Sequence, residues 1–103
     1  MKVQLLYFGG CPHWAEMEDC LQHALDLSGF ATTIEHCLVD TQEAADRYRF
    51  AGSPSILIDG RDPFPSARRD FGLTCRLYST PEGPAGAPTL EQLTEAIKEA
   101  AGT

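Results

Sequence analysis

The residues best suited to chemistry lie in Gly9-Gly10-Cys11-Pro12-His13-Trp14, between an apolar run (Val3, Leu5, Leu6, Tyr7, Phe8) and a long stretch of helical periodicity. A cysteine attacks as the thiolate, so its surroundings decide whether it is reactive. Pro12 carries the fixed φ that suits a first helical position, and the paired glycines let the backbone turn sharply, which puts Cys11 at or beside a helix N-cap. There the positive end of the helix dipole and the unpaired backbone N–H groups favour the anion. His13 adds to this when protonated; its other reading is an exposed residue at a helix start. The competing reading of Cys11 is a small buried cysteine, although structural cysteines more often lie inside strands or helices than between a Gly-Gly turn and a proline.

The remaining cysteines divide by position. Cys20 follows Cys11 by nine positions on the same helical stretch, roughly 13 Å of rise and the opposite face, too far to bridge, and it reads as packing. Cys37 alternates with Glu35 and Val39 and reads as a packed strand residue. Cys75 opens the run to Thr80 that follows the irregular stretch Arg61 to Thr74. No cysteine pair has zinc-ribbon spacing, and neither His23 nor His36 makes ligand spacing with two cysteines. A zinc site is therefore not expected, and no cofactor is called for, while a soft ion held by Cys11 and one further thiol stays open.

Elements must position these groups. Val3 to Phe8 reads as a strand buried on both faces, hence central. From Pro12 to Ser28 the residues Trp14, Met17, Leu21, Ala24, Leu25 and Ser28 draw an apolar stripe, and Gly29 closes the helix. Thr32 to Val39 is β-rich. Asp40 with Glu43 matches a capping pattern for a short helical segment to Phe50, which Gly52 terminates. Ser53-Pro54 then opens the strand Ser55 to Ile58, followed by the turn Asp59-Gly60. Arg61 to Thr74 breaks both periodicities and reads as an inserted loop. Cys75 to Thr80 reads as a fourth strand and Pro81 to Pro88 as a turn-rich link. Thr89 with Gln92 forms a capping box ahead of Leu90, Leu93, Ile97 and Ala100.

The 103 residues suit one domain, 1–103, with a single core. Eight basic against fifteen acidic residues give a net charge of −7, which opposes phosphate backbones and anionic lipid, so neither nucleic acid nor membrane is an expected partner. The first apolar run is too short for a signal-peptide core or a membrane span, and the expected location is cytoplasmic.

The order β-α-β-α-β-β-α, with Cys11-Pro12-His13 after strand 1 and Ser53-Pro54 before strand 3, resembles the thioredoxin superfamily over almost the whole chain. The resemblance implies an α/β thioredoxin-like fold, a central mixed sheet flanked by helices. It also implies that Cys11 is the attacking thiolate and that Pro54 is a cis proline facing it. Ser53 then supplies backbone groups to a bound peptide or thiol, with Pro12 and Trp14 beside the substrate. The motif departs from Cys-x-x-Cys: Trp14 stands at the fourth position. A mixed disulfide on Cys11 must then be released by an outside thiol such as glutathione or by Cys75. In a simple β3–β4 hairpin Cys75 falls at the end of the sheet away from Cys11, although the long preceding loop can fold back. Trp14 is read first as the start of the helix's core stripe, with shielding of Cys11 as a side effect. Gly72-Leu73-Thr74-Cys75-Arg76-Leu77-Tyr78 is also similar to small bacterial thioredoxin-like proteins named after alkylmercury lyase. Two function classes follow: a thiol oxidoreductase acting on a protein or glutathione-like disulfide, and a non-catalytic module that captures a thiol client or a soft metal.

Overall fold

The computed structural model describes residues 1–10, 14–30, 32–50, 52–64 and 76–102. Cys11, Pro12, His13 and Cys75, and all of the inserted loop beyond Phe64, lie outside the described residues.

A mixed α/β architecture is formed by β1 (Val3–Tyr7), α1 (Trp14–Leu27), β2 (Ile34–Leu38), α2 (Gln42–Tyr48), β3 (Ser55–Ile58), β4 (Tyr78–Thr80), β5 (Gly83–Ala85) and α3 (Leu90–Ala100). β1 is central, as its apolar run predicts: β2 pairs with it in parallel from Val3↔Ile34 to Tyr7↔Leu38, and β3 in antiparallel fashion from Val3↔Ile58 to Leu6↔Ser55. Alternation along β1 sends Val3 and Leu5 to one face and Leu6 to the other. The first face forms the larger core with Met17, Leu21 and Leu25 of α1, Ile56 and Ile58 of β3, and Leu93 and Ile97 of α3. The second packs Leu6 against Val39, Ala45 and Phe50. Among the described residues no helix is long and apolar enough to cross a membrane.

Three local readings change. The short helix is capped one residue later than expected, by Thr41, whose hydroxyl accepts from Ala44 N–H, rather than by Asp40. It ends at Tyr48, two residues short of the expected Phe50, because Arg49 takes the left-handed conformation (φ 54°) and lets the buried Phe50 turn back onto Ala45. The expected order β-α-β-α-β-β-α also lacks a strand. The stretch read as a link contains β5, which pairs with β4 across Pro81-Glu82. Gly83 at φ 107° and the Thr80 hydroxyl, which donates to Gly83 O and accepts from Glu82 N–H, fix that turn. Pro84 is tolerated there because an outer strand leaves one row of its N–H groups without a ladder partner to supply. The closing helix is as the sequence reads: Thr89 and Gln92 exchange both capping-box hydrogen bonds.

Candidate functional site

The antiparallel register that sets Leu6 opposite Ser55 brings the end of β1 to the start of β3. Phe8 N–H donates to Ser53 Oγ at 3.3 Å, so the chain that leaves β1 toward Gly9 and Gly10 lies against the Ser53-Pro54 turn. The Ser53–Pro54 peptide bond is cis, as the resemblance implies, and both residues are buried. Gly52 reaches the turn at φ 127° and lies against residue 76: a Cβ there would sit 2.8 Å from Arg76 Cβ and 3.1 Å from its Cα. Only glycine suits both conditions.

The turn is held from behind by Arg76 and Tyr78. Arg76 N–H donates to Ser53 O at 2.9 Å. Its side chain is almost wholly buried, and Nη1 donates to Ser55 Oγ (3.1 Å) and to Asp62 Oδ2 (2.5 Å), while Nη2 donates to Phe64 O. The guanidinium also stacks 4.5 Å over the Tyr78 ring. Ser55 Oγ donates to Gly52 O, and the Tyr78 hydroxyl donates to Pro54 O. The carbonyls of Gly52, Ser53 and Pro54 therefore all find donors within the chain. A buried guanidinium requires such a set of acceptors, the carboxylate above all.

Sequence reasoning missed this network. Its signal was an arginine inside an apolar strand pattern, Cys75-Arg76-Leu77-Tyr78, which demands a paired acid, with Asp62 as the partner across the inserted loop. The same contacts overturn the simple-hairpin premise that carried Cys75 to the far end of the sheet. The chain re-enters the described structure at the proline end, with Arg76 on Ser53.

On the other side of β1, Trp14 opens α1 and stacks on Tyr7 with ring centroids 4.8 Å apart. His36 meets both rings edge-on at 6.4 Å, and its Nε2 lies 2.9 Å from Glu18 Oε1, which ties β2 to α1. Trp14 is half-buried and packs against the larger core, in keeping with the core-stripe reading. The described cysteines are both free and partly buried, and each packs where expected. Cys20 lies against the larger core. Burial, and then the charge of Glu16, pushes its thiol above the usual range. Cys37 lies against the smaller core, its sulfur accepting from Gln4 Nε2 at 3.6 Å. His23 is exposed. Among the described residues no three His, Cys, Asp or Glu side chains cluster as a metal site would require.

Phe8, Trp14, the Ser53-Pro54 turn and Arg76 thus converge on the end of the sheet where β1 stops and α1 starts. Comparison of the chain with protein-family models, with curated proteins and with solved structures returns no match.

Proposed function

We propose that this chain is a thioredoxin-like, thiol-dependent oxidoreductase whose attacking group is the Cys11 thiolate, recycled by an external thiol such as glutathione or by Cys75. The observation that carries the reading is the hydrogen bond from Phe8 N–H to Ser53 Oγ, which joins the chain entering the cysteine motif to the proline turn. Cys11 is three peptide units from Phe8 and three from Trp14. Phe8 and Trp14, the described residues that flank Cys11 in contact with the sheet, both lie at the end of the sheet where β1 stops. The three-stranded mixed sheet with α1 and α3 over one face and α2 over the other supports this reading at the level of a mixed α/β fold, while β4 pairs with β5 in a separate two-stranded sheet among the described residues.

In the reaction the Cys11 thiolate attacks one sulfur of a disulfide R–S–S–R, forming Cys11–S–S–R and releasing R–S⁻. A second thiolate then attacks the R sulfur of the mixed disulfide, or Cys75 attacks the Cys11 sulfur, and the Cys11 thiolate or R–S⁻ leaves, respectively. In the first route the electrons come from the external thiol; in the second a Cys11–Cys75 disulfide is left, and an external thiol such as glutathione must reduce it to restore the Cys11 thiolate. Cys75 is the candidate for the second role because it directly precedes in sequence the Arg76 whose N–H bonds to Ser53 O.

The test is mass spectrometry of the purified chain after mild oxidation with glutathione disulfide, with each cysteine mapped. A glutathione adduct on Cys11 or a Cys11–Cys75 bridge is expected. Modification of Cys20 or Cys37 with Cys11 untouched contradicts the reading.

A further inference from the structure

We infer that the site takes low-molecular-weight disulfides in preference to extended polypeptides, because the chain's own Arg76 segment already occupies the sheet edge on which a peptide would lie. This rests on the function proposed above and names the substrate class of the same site.

An extended peptide is commonly held by strand addition, in which its main chain pairs with unoccupied N–H and C=O groups along a sheet edge. The three-stranded sheet has β2 and β3 as its outer strands, and both flank the end of β1; the edge hydrogen-bonded to the chain that enters the cysteine motif is that of β3 at Ser53-Pro54. Pro54 has no N–H to offer. Ser53 O is taken by Arg76 N–H at 2.9 Å, and Pro54 O by the Tyr78 hydroxyl. Gly52 leaves no space for a second chain, since even a methyl group on it would meet the Arg76 backbone. At the other end of β3, Ile58 N–H donates to Arg61 O, so local chain covers that position too.

Displacing the Arg76 segment means removing a buried guanidinium from Asp62, Ser55, Phe64 and Tyr78 together. Main-chain pairing with a peptide does not replace a charge-assisted bond to a carboxylate. A small disulfide needs only a path to the thiolate and a leaving thiol, and makes no demand on this edge.

The experiment compares the rate of Cys11 modification by glutathione disulfide with that by a short unstructured peptide dimer joined through one disulfide. It uses the native chain and Asp62→Asn, with iodoacetamide as a reagent that needs no docking. The native chain is expected to favour glutathione disulfide by about tenfold or more, the equivalent of one or two missing main-chain hydrogen bonds. Asp62→Asn, which loosens Arg76 without touching the turn, is expected to raise the relative rate with the peptide and to leave the iodoacetamide rate unchanged. A melting curve confirms that the variant is folded, and Arg76→Lys replaces it if it is not. Peptide modification as fast as that by glutathione disulfide in the native chain, or a ratio unmoved in a folded variant, overturns the inference and leaves the oxidoreductase reading standing. Failure of Cys11 to react with either disulfide, while iodoacetamide still labels it, overturns both.

Discussion

Arg76→Met is expected to lower the free energy of unfolding by about 3–5 kcal/mol, the usual consequence of removing one member of a buried ion pair. Methionine fills a similar volume but supplies no donor, so Asp62, Ser55 Oγ and Phe64 O lose their partner together and the Tyr78 ring loses its cation. The Asp62 side chain keeps 28% of its surface in water, so part of its charge is rehydrated, which draws the effect toward the lower figure. For a domain whose total stability is roughly 5–15 kcal/mol this is a large fraction. Urea unfolding under reducing conditions measures it. Arg76→Lys should recover part of the loss, since an ammonium preserves the charge but not the fork that reaches Asp62 and Phe64 at once. A change below about 1 kcal/mol in Arg76→Met would place the guanidinium among ordinary surface groups.

Trp14→Cys is expected to change the fate of the mixed disulfide. On the proposed reading, a glutathione adduct on Cys11 of the native chain is expected to persist until an external thiol or Cys75 removes it. A thiol three positions along, at the start of α1, attacks from a tethered position, and the adduct lifetime should fall on the order of a hundredfold. The product is an internal disulfide between Cys11 and the introduced thiol, with release of glutathione, visible as the loss of the adduct mass. The substitution removes the stacking of Trp14 on Tyr7 and its contact with the larger core. Because Trp14 is only half-buried, the destabilisation should be about 2 kcal/mol, below the roughly 3–5 kcal/mol of a fully buried ring. Trp14→Ser separates the two effects, since it loses the ring without gaining a thiol. A native adduct that vanishes as fast as that of the cysteine variant identifies Cys75 as an efficient resolving group already present.

Much of the framework is legible in the sequence because short-range physics sets it. The mostly apolar run of β1 specifies a strand with neighbours on both sides, and the stripe Met17, Leu21, Leu25 specifies the face that α1 buries. Thr89 and Gln92 specify the start of α3. Long-range choices are harder to read. Nothing local in Arg76 says that it will pair with Asp62 across the inserted loop, or that its N–H will meet Ser53 rather than a β3 hairpin partner. The β4–β5 hairpin was hidden by Gly83 and Pro84, which local propensity counts against a strand but an outer two-stranded ribbon accommodates. His36 is a similar case: its strand position is plain, but its pairing with Glu18 depends on how α1 crosses the sheet.

The most direct test of Cys11 as the poised nucleophile is the iodoacetamide labelling rate of each cysteine as a function of pH. A thiol at a helix N-terminus should show its midpoint below the ordinary value of about 8.5, so that Cys11 labels fastest at pH 6 and gains little above neutrality. Cys20 should behave oppositely. Burial and Glu16 raise its pKa, which shrinks the thiolate fraction near neutral pH and delays labelling to alkaline conditions. Cys11 ahead of all three other thiols at pH 6 is the expected result; Cys20, Cys37 or Cys75 reacting faster than Cys11 at that pH would contradict it.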